Sequence, residues 1–384
     1  CDRRQRQMCI RDRSMIYIAL IFILFLLFCL DYNSSKSMKF TFWLGTFFFL
    51  AIFAFRGDNV GGDTTQYCIY FEGKTSSTYG SLKLNDDIEI GFRWICMALQ
   101  KISMSRFWFI FSTSLLSLIP FVFLVRKHSL YPNLSYLYII CSNWAIMVVC
   151  IETHIRQNIA TAFLMMALYI FLYENKTKKS YISCVLLLIA SVISHTSIYL
   201  ILPLILLLLF VPLTRKVSYC LIIGSCLVTL FFTEIFTDVF TGLMLWLSPY
   251  EAFDNLTRYM DSDKYGLSGK AGLLTSFAPI AIWALINIYY SNKNEINNIF
   301  MKCMVVGTSL TIMGSSFGLS FRMMYALLIL GYCYIPIAYK NNSKAMLINF
   351  IPLLLMLFRL WGAVLNPAQY NTESHWLPYL FIFE

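Results

Sequence analysis

Residues 181–213 read YISCVLLLIASVISHTSIYLILPLILLLLFVPL, an apolar tract of thirty-three residues without Asp, Glu, Lys or Arg. As a single helix, at about 1.5 Å per residue, it would reach about 50 Å, well beyond the roughly 30 Å hydrocarbon core of a bilayer. The polar stretch Ser194-His195-Thr196-Ser197 divides it into two spans, 181–194 and 196–213. A chain that crosses and returns within one tract is polytopic, and the polar residues at its turn lie at a membrane face.

The same pattern recurs on both sides of that tract. Apolar runs at 15–30, 40–55, 107–125, 134–151, 158–173, 217–233, 271–290, 299–317, 323–339 and 345–361 complete a set of twelve. Several fall short of the roughly 20 residues of a straight span, so local thinning or interfacial flanks accompany them. The expectation is an all-α polytopic membrane protein with about 12 transmembrane helices and two longer extracytoplasmic loops, 56–106 and 234–270, folded as one domain over 15–384. Composition agrees. The chain is 59% hydrophobic and 13% charged, against roughly 25% charged in soluble proteins, which excludes a globular domain with an ordinary polar surface. The net charge of +10 comes from Lys and Arg set in ones, twos and threes between apolar runs, which signals topology and not a nucleic-acid surface. Of the twelve cysteines, Cys29, Cys141, Cys150, Cys184, Cys220, Cys226, Cys303 and Cys333 lie in apolar stretches and read as small buried hydrophobes. Cys68 and Cys96 lie outside the membrane, where pairing is open to them.

Residues 1–14, CDRRQRQMCIRDRS, carry five Arg and stop where Met15 opens the first run. No small-residue cleavage site follows that run, which argues against a signal peptide. The segment resembles translated adaptor sequence and is set apart from the fold as a non-native or disordered arm. Lys36, Lys39, Arg126, Lys127, Lys176, Lys178, Lys179, Arg215, Lys216, Lys293, Lys302, Lys340 and Lys344 fall on one side of the runs, 13 basic against 3 acidic residues, while the other side carries 12 against 15. The positive-inside rule makes the first side cytoplasmic and places both termini extracytoplasmic.

Nearly every carboxylate, His and remaining Arg therefore lies outside, and chemistry is expected there. The stretch from Arg56 to Tyr67, RGDNVGGDTTQY, leaves the second run directly, and its glycines permit tight turns near Asp63. Such a loop presents Arg to phosphate and a carboxylate to a hydroxyl, although a plain Gly/Asp turn has the same composition. Residues 88–101 carry apolar side chains at helical spacing with charges on the other face, a pattern shared by an interfacial helix and an ordinary loop helix. Glu152-Thr153-His154-Ile155-Arg156-Gln157 packs five polar groups into a tight outer hairpin; Arg156 suits an anionic headgroup, or a structural pair with Glu152. His195 interrupts an apolar tract, and Arg322 stands alone between two runs, where snorkelling also accounts for it. No P-loop, Rossmann glycine pattern, CxxC pair or HExxH is present.

Taken in order, Arg-Gly-x-x-x-Gly-x-Asp-Thr-x-x-Tyr from Arg56, Glu-x-Gly-Phe from Glu89, Ile-Arg-Gln from Ile155, Ser-His-Thr-Ser from Ser194, Arg-x-x-Tyr from Arg322 and Pro-Tyr from Pro378 resemble the EpsG-like branch of Wzy-type polysaccharide repeat-unit polymerases. The resemblance runs over nearly all of residues 15–384. It implies a glycosyltransferase at the outer face of the bacterial cytoplasmic membrane. Its substrates would be polyprenyl-diphosphate-linked oligosaccharides, joined for capsule, exopolysaccharide or O-antigen assembly, with a chain-length regulator and a flippase as partners and no metal or cofactor. On that reading Asp63 is the base, with His195, Glu152 and Glu89 as further catalytic candidates. Arg56, Arg156 and Arg322 hold diphosphate, and Tyr67, Tyr259 and Tyr325 meet sugar. An envelope ligase or acyltransferase would need the same cations but would act once per chain. A lipid-linked oligosaccharide flippase predicts charged or broken helices near the midplane and often internal repeats, and the sequence has neither.

Overall fold

The computed structural model describes residues 3–33, 38–61, 63–73, 88–141, 151, 154–232, 235, 238–239, 242, 270–314, 320–336 and 338–365. Among these, regular structure is entirely helical, and each of the twelve apolar runs carries a helix. Among the described residues, two helices, Arg106–His128 and Ile155–Tyr173, are long and apolar enough to cross a membrane by themselves, and six others carry apolar stretches of 10–17 residues. The break expected at residues 194–196 is present: one helix ends at Ser194 and the next begins at Ile198.

The described residues form two compact units, one comprising Cys1–Ile198 with Arg359–Glu384, the other Tyr199–Phe358. The first holds α1 (Arg3–Asn33), α2 (Met38–Ala54), α3 (Thr64–Phe71), α4 (Ile90–Gln100), α5 (Arg106–His128), α6 (Pro132–Cys141), α7 (Ile155–Tyr173) and α8 (Lys178–Ser194). Helix α5 packs on α2 and α7, α8 closes on α7, and α1 packs on α2 and α6. Aromatic rings fill the interior, with Phe49 stacked on Tyr136 at 4.6 Å. At one end the Arg126 guanidinium lies 5.2 Å from the Trp43 ring and Lys127 5.7 Å from the Tyr173 ring. These contacts bring the start of α2 and the end of α5, both expected to be cytoplasmic, to the same end of the unit. Asp31 is buried there, accepting hydrogen bonds from Thr41 Oγ1 and, at 2.7 Å, from Asn133 Nδ2, so that α1, α2 and α6 share one polar tie. A buried carboxylate without such donors would be strongly destabilising.

At the opposite end the short helices α3 and α4 lie over α5 and α7. Cys68, Phe71, Ile88, Phe92, Cys96, Phe109, Ile110, Ile155 and Ile159 form one buried cluster there. Burial of this apolar surface fixes the loop helices against the long ones, at roughly 1.5–3 kcal/mol per fully buried large side chain. Helix α4 falls within the expected stretch 88–101. Cys68 and Cys96 are free thiols within this cluster and not a disulfide.

The second unit holds α9 (Ile198–Phe210) beyond its first residue, α10 (Arg215–Phe231), α11 (Lys270–Tyr290), α12 (Lys293–Ile296), α13 (Ile299–Met313), α14 (Ser320–Tyr332), α15 (Ala338–Asn341) and most of α16 (Ser343–Leu365). Helix α13 packs on α10, α11 and α14. Lys302 is buried, its Nζ donating to the carbonyls of Leu208 at 2.8 Å and Val211 at 2.7 Å, which satisfies the open C-terminal end of α9. Arg215 Nη2 donates to Ser291 O at 2.5 Å, so the basic loops before α10 and α12 share one end of this unit.

Candidate functional site

The site is assembled where the loop leaving α2 returns through α3 and α4 to the starts of α5 and α7. Gly61 adopts φ 95°, a left-handed conformation open to glycine and strained for other residues, and Thr64 N donates to Gly61 O at 3.1 Å as the chain turns into α3. Thr65 Oγ1 donates to Asp58 O at 2.8 Å and closes the same turn. Asp63 occupies the N-cap position of α3 but its side chain makes no capping hydrogen bond. From there one helical turn carries the chain to Tyr67.

Tyr67, Glu89 and Arg156, which belong to three separate motifs, meet. Arg156 Nε donates to the Tyr67 hydroxyl at 2.9 Å, Nη1 donates to Glu89 Oε2 at 2.5 Å, and the guanidinium carbon lies 5.5 Å from the centre of the Tyr67 ring. Among the described residues, Arg156 Nη2 and the Tyr67 hydroxyl proton make no hydrogen bond. The Arg156–Glu89 pair is largely enclosed, with side chains 24% and 16% exposed. Burial raises the pKa of the Tyr67 hydroxyl; Arg156 opposes this, while Asp63 and Glu89 add to it, so Tyr67 remains a neutral hydrogen-bond donor.

Each residue of Glu-x-Gly-Phe has a part in this arrangement. Glu89 takes Arg156, and Phe92 is buried edge-on to Tyr67 with ring centres 5.6 Å apart. Gly91 sits against the end of α8, where an added Cβ would lie 2.8 Å from the carbonyl oxygen of Ile193. That approach places the start of α4 beside the turn that carries His195. The His195 Nδ1 accepts from the backbone N–H of Ser197 at 3.1 Å and lies 2.9 Å from its hydroxyl. Because a backbone N–H can only donate, neutral His195 carries its proton on Nε2.

Other expected residues stand elsewhere. Arg56 is 1% exposed; its Nη1 donates to Phe53 O at 2.6 Å and Ser114 Oγ at 2.7 Å, so it fastens the end of α2 to α5. Arg322 and Tyr325 both lie on α14 in the second unit, where Tyr325 is buried. Glu152, Tyr259, Pro378 and the segment 243–269 lie outside the described residues, as does the Arg322 side chain.

A second arginine centre has no counterpart in the sequence reading. Arg106, at the start of α5, holds Glu72 through two bonds, Nε to Oε1 at 2.7 Å and Nη2 to Oε2 at 3.0 Å, while Nη1 donates to Asp58. Between α3 and α4 lies a cleft of about 530 Å³ whose walls include Tyr70, Ile90, Arg93, Trp94, Met97 and Gln100. Gln100 Nε2 donates to Phe71 O at 2.6 Å and fixes its inner edge. The amphipathic pattern of 88–101 contained both Arg93 and the apolar positions beside it; the cleft itself depends on where α3 packs.

The chain matches the EpsG family over residues 39–381. Comparison with curated proteins and with solved structures finds no match.

Proposed function

Starting from the chain's membership of the EpsG family, we propose that it is a polymerase joining polyprenyl-diphosphate-linked oligosaccharide repeats at the outer face of the cytoplasmic membrane. The observation that carries this reading is the convergence of Tyr67, Glu89 and Arg156 from three distant motifs into one cluster that, among the described residues, retains an unused guanidinium edge. In the reaction, the bond between C1 of the growing chain's reducing-end sugar and its diphosphate oxygen breaks. A new bond forms from that C1 to a hydroxyl of the acceptor repeat. The hydroxyl proton passes to a carboxylate, and the lipid diphosphate departs with the bonding electrons.

Asp63 is our choice for that carboxylate, since it stands one turn before Tyr67 and its charge reaches the Tyr67 hydroxyl. General-base help of this kind is worth about 10²–10⁴-fold. Arg156 meets the diphosphate through Nη2, and its attraction strengthens as negative charge develops on the leaving group. Glu89 then orients Arg156, and Tyr67 offers its hydroxyl proton to a sugar or phosphate oxygen. His195 donates from Nε2. Arg56, being enclosed, positions the loop. Arg322, Tyr325, Glu152 and Tyr259 remain candidates for the same chemistry from elsewhere in the chain.

The test is a gel of surface polysaccharide from a native or closely related strain lacking this protein, complemented with the parent or with Asp63→Asn. The reading expects a restored length ladder from the parent and single repeats from the variant at equal membrane abundance. Long but unattached chains in the deletion strain would point to a ligase. Repeats trapped on the cytoplasmic face would point to a flippase.

A further inference from the structure

Helix α4 has two apolar faces. Phe92 and Cys96 are buried against the long helices, whereas Ile90, Trp94 and Met97, at i, i+4 and i+7, are 45%, 55% and 50% exposed. Arg93, half-buried, lies on the same face of the helix and, with Tyr70 and Gln100, lines the cleft between α3 and α4. A cation set among exposed Trp, Met and Ile, on a loop helix at the end of a membrane protein, matches a ligand with an anionic head and a branched hydrocarbon tail. The cleft is open on one side and holds about 530 Å³, within the range of small-ligand sites. It also adjoins the Arg156 cluster: the Phe92 ring lies 5.6 Å from that of Tyr67 and 6.4 Å from that of Tyr70.

We propose that this cleft holds the diphosphate and first isoprene units of a prenyl diphosphate lipid, with Arg93 as its cation and Ile90, Trp94 and Met97 as its apolar track. The proposal rests on the polymerase reading and adds a location for one of its two lipid carriers. The rest of the tail continues into the bilayer, and the head points toward Arg156 across Tyr70.

The experiment uses the purified full chain in phosphatidylcholine nanodiscs and a geranylgeranyl diphosphate carrying a diazirine on its first isoprene unit. The expected result is crosslinking within residues 90–97, roughly tenfold or greater loss of affinity in Arg93→Gln, and a smaller loss in Trp94→Ala. Because the crosslink map is read on the parent, it stands whether or not a variant folds. Crosslinks confined elsewhere, with Arg93→Gln binding as the parent does, overturn the cleft assignment while leaving the polymerase reading intact. Displacement of the probe by an equal amount of phosphatidylglycerol overturns it in favour of an ordinary lipid seat. A parent that binds no prenyl diphosphate at all removes both.

Discussion

Arg106 and Arg156 each stand within the first two residues of a long apolar helix and each meets carboxylates from the 56–106 loop, yet the two centres are built differently. Arg106 commits Nε, Nη1 and Nη2 to Glu72 and Asp58. Among the described residues, Arg156 commits Nε to Tyr67 and Nη1 to Glu89 and keeps Nη2. A guanidinium with every nitrogen engaged by carboxylates ties chain segments together, and a substrate anion would have to displace those carboxylates to reach it. One held on two edges and open on the third is oriented for a ligand. The role of an arginine beside a membrane is set by the edges its partners leave open, more than by charge or position.

Substitutions divide along that line, beginning with the largest effect. Asp63→Asn should lower polymerisation about 10²–10⁴-fold without altering abundance, measured as chain product per unit of membrane protein. Arg156→Lys keeps the charge but loses the fork, and roughly 10- to 100-fold loss of rate is expected with little change in melting temperature. Arg106→Lys should reverse the pattern, lowering thermal stability while the rate per folded molecule stays near the parent's. Equal rate losses in the two lysine variants would erase the distinction between the centres. Gly91→Ala forces α4 away from Ile193; overpacking of this kind is worth about 1–3 kcal/mol, visible as lower stability together with loss of polymer. Tyr67→Phe removes one hydroxyl, so a loss of about 3- to 10-fold is expected in the same assay.

The smallest effect concerns the packing that carries both centres. Burial pushes the thiols of Cys68 and Cys96 up to about 12, with Asp58 adding to the rise at Cys68. At pH 8 only about one molecule in 10⁴ then carries a thiolate at either position. Both should resist a water-soluble maleimide in the folded protein and label fully after denaturation. Rapid native labelling would mean that α3 and α4 do not lie on α5 and α7 as described.

Local pattern revealed much of this arrangement. The break at Ser194-His195-Thr196 follows from tract length against bilayer thickness, and the α4 helix follows from apolar spacing in 88–101. The Arg-Gly, Glu-x-Gly-Phe and Ile-Arg-Gln segments named Tyr67, Glu89 and Arg156 before anything placed them together. What stayed hidden depends on pairing across long separations. Asp58 and Glu72 meet Arg106 from 48 and 34 residues away, and nothing local distinguishes that arginine from a residue at a loop end. Asn133 reaches Asp31 across 102 residues to make a buried tie of what reads as an inside-loop acid. Arg56 looked like a displayed cation because its glycine-rich setting suggests openness, while its enclosure comes from Ser114 on α5. Cys68 and Cys96 were expected on the same side of the membrane, where a disulfide is open to them, but both are free thiols that pack in the same apolar cluster.

The most direct measurement is polymerisation by the purified chain in lipid vesicles supplied only with its lipid-linked repeat, with products resolved by length and the Arg156→Ala and Arg106→Ala variants run beside the parent. The account predicts a ladder from the parent, none from Arg156→Ala, and a ladder of parental spacing from whatever fraction of Arg106→Ala remains folded. A parent that yields no chain longer than one repeat, or an Arg156→Ala variant that polymerises at the parental rate, would contradict it.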